Sequence, residues 1–265
     1  MIKMARSLRT IAAIVVAAGV GGVVMSSTCY AQGSESRSVA AREYLAGEWL
    51  FNADVSDASG RNADCVNRGV TFVADRFGRA DGAGYFDGNS SVDCAVEKKI
   101  SLDADFSVAL WIKGTASTQK PITAIISKGH GGEYGFKGWT LQRVDYENDG
   151  NLAFGGGNGK RWVTPATLLW GRLLDGAWHF VVATNSGGKS CLFLDGKMES
   201  LAVADSFVGS GLFHLTIGAD TVNKGRNFTG AIDDIRIYRI PLTNEQVAQL
   251  YRAGLSGAHD GNGSR

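Results

Sequence analysis

The chain has 265 residues, with 27 Lys and Arg against 26 Asp and Glu, 44% hydrophobic and 9% aromatic content, 36 Gly and 3 Pro. That apolar fraction and charge balance exclude a disordered chain, and the composition excludes a collagen-like repeat. A net charge near zero supplies no basic field for phosphates, which argues against nucleic acid as a partner. Residues 1–31 run from a basic start (Lys3, Arg6, Arg9) through an apolar stretch, Ile11 to Val24, to the small residues before Ala31. This order predicts a signal peptide cut after Ala31, and hence a secreted or periplasmic protein. The apolar stretch, about 14 residues, falls short of the roughly 20 that cross a bilayer, so no membrane span is expected after its removal. Membrane anchoring by this stretch is the competing reading, and the residues before Cys29 lack the pattern of a lipidation site.

Residues 32–42 are polar at first and read as a flexible leader. From there the chain breaks into short apolar or alternating runs at 48–51, 106–112, 122–126, 139–144, 178–183, 190–194, 212–217 and 232–238. Each has strand length and is too brief for a helix. Asp-Gly pairs at Asp81, Asp87, Asp149, Asp175 and Asp195 lie between or beside them, a pairing that tolerates the positive φ of tight turns. One helix is expected after Pro241, with Thr243 as N-cap, Gln246 as its capping-box partner, and Val247, Leu250 and Tyr251 on one apolar stripe ended by Gly254. Residues 256–265 read as a loose tail. No repeat or linker divides residues 43–255, which predicts one all-β domain, a sandwich or barrel of antiparallel strands.

Removal of the first segment leaves Cys65, Cys94 and Cys191 in an oxidising compartment, which gives one pair and one free thiol. Cys65 and Cys94 flank a predicted hairpin region and are paired here; closing that loop adds roughly 3 kcal/mol in the chain-entropy model. Three buried free thiols are the alternative.

Several segments then fall in a recognisable order. They are Glu48-Trp49-Leu50-Phe51-Asn52, Asp57-Ala58-Ser59-Gly60-Arg61-Asn62, Tyr85-Phe86-Asp87-Gly88 and Phe106 to Lys113 in the first half. Ile126 to Gly129, Gly138-Trp139, Gly176 to Val182, Leu192 to Lys197, Gly230 to Tyr238 and Leu242 to Val247 follow. Together they resemble a laminin G-like domain of the concanavalin A-like lectin and glucanase superfamily. The resemblance spans roughly residues 46–252 and lies in the order of these motifs, none of which suffices alone. It implies a jelly-roll sandwich of two antiparallel sheets with a short C-terminal helix, a secreted carbohydrate-binding or adhesive role, and often a bound calcium ion. It also assigns Trp49, Trp111, Trp139 and Trp178 to packing positions.

Calcium takes about six to eight oxygen ligands from carboxylates and carbonyls. In similar domains a structural calcium lies near the last strand, so Asp234, with Asp233 and Asp87 or Asp57, is the ligand set the resemblance implies. On a regular strand Asp233 and Asp234 point to opposite faces. The alternative is that Asp57 and Asp87 satisfy turn amides, as aspartates commonly do, and that Asp233 caps a bulge.

Sugar recognition uses an aromatic face with directional polar side chains beside it. Trp162, Arg161, Asn158, Tyr146, Tyr134 and Asp149, in Gly-rich loop sequence around Gly155-Gly156-Gly157, are the candidates, with Trp162 first. Its alternative is a tryptophan tucked over the sheet edge. Glucanases of the superfamily carry Glu-x-Asp-x-x-Glu, whose two Glu act on the glycosidic bond. That spacing is absent here, His130, His179, His214 and His259 lack a nucleophile signature, and no enzyme is expected. His179 is assigned to core or edge structure. The expected function is a non-catalytic, lectin-like carbohydrate-binding module with a glycan or polysaccharide ligand. The alternatives are a structural or adhesive domain that binds a cell-surface or extracellular protein and, behind it, a glycan-active hydrolase or lyase.

Overall fold

The computed structural model describes residues 42–96, 100, 102–130, 135–144, 150–203 and 206–256. The signal peptide expected over 1–31, the leader up to residue 41 and the tail from residue 257 lie outside the described residues. Among the described residues no helix is long and apolar enough to cross a membrane.

Each of the eight runs read as strands meets one. The strands are β1 (Leu45–Trp49), β2 (Cys65–Arg68), β3 (Thr71–Val73), β4 (Ala83–Asp87), β5 (Ser91–Cys94), β6 (Phe106–Thr115), β7 (Thr123–His130) and β8 (Lys137–Val144). They continue with β9 (Asn151–Gly157), β10 (Trp162–Leu169), β11 (Asp175–Ser186), β12 (Lys189–Leu194), β13 (Lys197–Val203), β14 (Leu215–Ile217) and β15 (Thr229–Tyr238). One sheet has the order β13-β12-β11-β6-β15-β4-β3, with β1 also paired to β15. The second has the order β10-β9-β8-β7-β14-β5-β2. Neighbours within both sheets are antiparallel. This is the two-sheet jelly-roll sandwich expected from the sequence.

The stretch Gly155-Gly156-Gly157 is strand β9 and not a loop, which corrects that part of the reading. Glycine is needed there because a Cβ on Gly157 would overlap the Phe136 carbonyl of the neighbouring chain segment.

The main core lies between the sheets and includes Leu110 and Ile112 of β6, Leu192 and Leu194 of β12, and Trp139 and Phe154 of the opposite sheet. The alternate residues, Ala109, Trp111, Phe180, Cys191 and Phe193, point outward into a second apolar cluster. Strand β12 therefore carries apolar groups on both faces, and a helix covers the outer one. That helix, α1 (Asn244–Ser256), buries Val247 and Leu250 and stacks Tyr251 on Trp111 and Phe180 at centroid distances of 5.8 and 6.2 Å. Its start is the capping box read from sequence. Gln246 N–H donates to Thr243 Oγ1 (3.2 Å), and Thr243 N–H donates to Gln246 Oε1 (2.9 Å).

Cys65 and Cys94, opposite each other on β2 and β5, form the expected disulfide, with a Cα separation of 4.1 Å. Cys191 is also disulfide-bonded. This corrects the expected free thiol.

Candidate functional site

The four aspartates named as calcium ligands sit in three separate places. Asp57 Oδ1 accepts the Glu48 and Ser59 amides at 3.0 and 2.9 Å, and Oδ2 accepts Ser59 Oγ and the Arg61 and Ala63 amides at 2.8, 3.1 and 3.0 Å. Burial works to raise this carboxyl, but the hydrogen bonds from Ser59, Ala63 and Glu48 outweigh it and hold it below the usual range. Asp87 Oδ1 accepts the Asn89 and Ser90 amides, both at 2.8 Å, and those bonds keep it acidic. Both arrangements are the turn-amide role weighed as the alternative.

Asp233 and Asp234 point to one partner. Arg76 Nη1 meets Asp233 Oδ2 and Nη2 meets Asp234 Oδ2, each at 2.6 Å, with all three side chains at most 6% exposed. The expectation that adjacent strand residues diverge fails at this point. A bulge interrupts the β15–β6 register between Asp233 and Arg236, and Asp234 takes φ 48°, so strict alternation is lost. Arg76 also donates from Nε to the Gly254 carbonyl of α1 (2.9 Å) and lies 4.7 Å over the Trp111 ring. Arg236 pairs with Glu48 at 2.8 Å beside them. Two guanidinium groups thus meet three carboxyls, and charge balances when one carboxyl keeps its proton. Burial, and then the Asp234 charge, push Asp233 up to about 8 against the pull of Arg76. Lying in three separate places, the four aspartates do not converge into one ligand set. No group of three or more His, Cys, Asp or Glu suited to a metal occurs among the described residues.

His179 has partners that sequence spacing did not bring to it. Nδ1 lies 2.8 Å from Asp195 Oδ2 and Nε2 lies 3.1 Å from Asp175 Oδ1. Burial works to lower its pKa, but the two carboxylates outweigh burial and raise it. The two contacts tie the start of β11 to the β12–β13 turn.

Of the loop residues proposed for sugar, Tyr134, Tyr146 and Asp149 lie outside the described residues. Asn158, Arg161 and Trp162 come together at the β9–β10 hairpin. Asn158 Oδ1 accepts the Lys160 and Arg161 amides at 2.9 and 2.8 Å and so builds the turn, while Trp162 is half-buried with its indole beside Gly155.

A second aromatic surface went unread in the sequence. Across four neighbouring strands Trp178, Lys113, Ala231 and Tyr85 stand in one register row. Residues directly opposite in adjacent strands share a face. This row lies on the outer face, beyond the end covered by α1, since Trp178 is two residues from Phe180 and Lys113 two from Trp111. The row forms the floor of a cleft of about 460 Å³, with Thr115, Thr118 and Thr229 among its walls. Three strand spacings, on the order of 14 Å, separate the backbones of Trp178 and Tyr85. Tyr85 is 38% exposed, whereas the adjacent Phe86 is fully buried, the result of simple alternation along β4.

Local backbone features aim these rings. A bulge in β11 between Asp175 and Trp178, with Gly176 at φ 92°, sets the direction of the indole, and Asp175 locks it by accepting the Ala177 amide (2.8 Å) and meeting His179. Gly230, opposite the buried Phe86, lets β15 approach closely on the core side, because a Cβ there would strike the Lys113 carbonyl and the Phe228 ring. Gln119 holds the rim through both of its amide ends, donating to the Thr229 carbonyl and accepting the Thr229 amide.

A family model described as Concanavalin A-like lectin/glucanases superfamily, of laminin G type, matches residues 86–248. The chain belongs to this family. No curated protein matches it in sequence. Among solved structures it is similar to domain 4 of AbnA, an extracellular GH43 arabinanase of Geobacillus stearothermophilus solved with arabinotriose. That likeness has a TM-score of 0.61 at 20% identity and covers 78% of this chain and 98% of that one. It is also similar to the botulinum neurotoxin serotype D ligand-binding domain solved with N-acetylneuraminic acid (TM-score 0.62, 17% identity, 82% of this chain and 53% of that one). A third is the binding domain of Paraclostridial Mosquitocidal Protein 1 (TM-score 0.61, 16% identity, 80% and 53%). The chain spans about half the length of the two toxin domains, and at these identities the likeness concerns the fold.

Proposed function

We propose that this member of the superfamily is an exported, non-catalytic carbohydrate-binding protein that holds its glycan in the cleft between Trp178 and Tyr85. The observation that carries this reading is the register row itself. Two aromatic side chains stand on one face of one sheet, over a floor that includes Ala231, with three threonines beside them. Rigid aromatic faces contribute contact area at little entropic cost, and hydroxyls donate to and accept from sugar hydroxyls. The arabinotriose and N-acetylneuraminic acid in the two solved structures agree with this ligand class.

The cleft lining contains no carboxyl group and no histidine. Glycoside hydrolysis ordinarily needs two carboxyl groups flanking the bond. This supports binding without cleavage. Export is supported by the basic-then-apolar start of the chain and by the Cys65–Cys94 disulfide.

The test is a glycan array on the protein as expressed from the full chain and on its Tyr85→Ala and Trp178→Ala variants. Tyr85 is partly exposed, so its removal leaves the core intact. The reading predicts retention of a defined set of glycans by the native protein and its loss in both variants. Retention that survives both substitutions, or silence on every glycan combined with a captured protein partner, sinks it. Release of reducing ends from a bound polysaccharide contradicts the non-catalytic part.

A further inference from the structure

The cleft that carries the glycan reading has a polarity which that reading leaves unused. Its lining includes one charged side chain, Lys113, set in the register row between Trp178 and Ala231. Lys113 is exposed and enters no ion pair among the described residues.

Four carboxyl groups lie next to lining residues, and each is engaged elsewhere. Asp75, beside Ala74, binds Arg79 at 2.6 Å. Asp233, two residues beyond Ala231, binds Arg76. Asp175, beside Gly176, is held by His179 and the Ala177 amide. Asp87, opposite Thr229, turns into its own Asx turn on Asn89 and Ser90.

A neutral ring lying on Trp178 would strip water from the Lys113 ammonium and return no charge to it, which is costly for a cation. A ring bearing a carboxylate would restore the lost interaction as a charge-assisted hydrogen bond. We infer that the ligand of this cleft is an acidic glycan, a uronate-type or other carboxylate-bearing sugar whose carboxylate pairs with Lys113. The inference rests on the placement of the glycan in this cleft, and the experiment below separates the two.

Isothermal titration of the native protein, and of Lys113→Gln, Lys113→Arg and Trp178→Ala, uses hexuronate oligosaccharides and their carboxyl-reduced neutral counterparts of the same linkage. The acidic member of a pair should bind at least about tenfold more tightly, the scale of one charge-assisted bond. Lys113→Gln should bring the two members level, Lys113→Arg should keep the acidic one ahead, and added salt should weaken the acidic member alone. Neutral members that bind as well as acidic ones, or a preference unchanged in Lys113→Gln, overturn the acidic assignment. The cleft reading survives that result when Trp178→Ala still abolishes binding. Binding of no member of any pair, or binding indifferent to Trp178→Ala, overturns both.

Discussion

Replacing Arg76 by Met should destabilise the domain far more than an ordinary surface change, and should do so in a pH-dependent way. Arg76 neutralises two adjacent carboxyls whose side chains are 3% and 5% exposed, ties α1 to the sheet through Gly254, and covers Trp111. Taking one partner out of a buried ion pair costs roughly 3–5 kcal/mol, because the remaining charge stays buried without a counter-ion. At ~2–4 °C per kcal/mol for domains of 150–250 residues, the melting temperature at pH 8 should fall by about 6–20 °C.

The sign of the pH dependence follows from Asp233. Its folded pKa, about 8, is raised above the value near 3.8 expected when unfolded. The stability it contributes is therefore complete below pH ~4 and is lost as pH rises through about 8. In the variant the unneutralised carboxyls penalise folding most where both are ionised, so the gap to the native protein should narrow between pH 8 and pH 5. Asp233→Asn in the native background removes the surplus negative charge and should flatten the loss of stability over the same range. Thermal melts at half-unit pH steps measure all three proteins. A variant as stable as the native protein at pH 8, or a gap that widens on acidification, refutes the charge-balance argument.

Other predictions concern the disulfide, His179 and Asp57. Replacing both Cys65 and Cys94 by Ala should cost about 3–4 kcal/mol for a loop of this length, read from urea midpoints of the native protein and the double variant. His179, with a pKa raised by Asp195 and Asp175, favours the fold in its charged form, so its contribution is present below its unfolded pKa near 6.5 and fades as pH rises through the folded value. Imidazole shifts followed by NMR should titrate above the ordinary range and return to it in Asp195→Asn; an unshifted native titration counts against the pairing. Asp57→Ala leaves four backbone amides without their acceptor and should cost about 1–3 kcal/mol, while a chelator should leave the melting temperature of the native protein in place. A chelator-dependent fall would restore calcium to these carboxylates.

Most of the fold was legible in the sequence, because its determinants are local. Alternation marked the long central strands β6, β11, β12 and β15, and Thr243 with Gln246 marked the helix start to the residue. What was missed lacks a local signal. β13 alternates exposed charged and apolar residues at a sheet edge, β9 is rich in glycine because its neighbours crowd it, and β2 and β3 are only four and three residues long. The site was legible only in part for the same reason. Trp178, assigned to packing by the resemblance, does pack on the outer apolar cluster; that it also walls a cleft is a tertiary fact. Tyr85 was in view as half of a Tyr-Phe pair whose alternation leaves one ring outside, the one signal available without coordinates. Asp233 and Asp234 were misread because a bulge has no sequence signature as firm as the strand period it interrupts.

The most direct test of the central claim is a crystal structure of the protein with a glycan retained on the array. The account predicts sugar rings in van der Waals contact with Trp178 and Tyr85 across strands β11, β6, β15 and β4, with the β9–β10 hairpin empty. Sugar seated instead on Trp162 and Arg161, with the cleft filled by solvent alone, would contradict it.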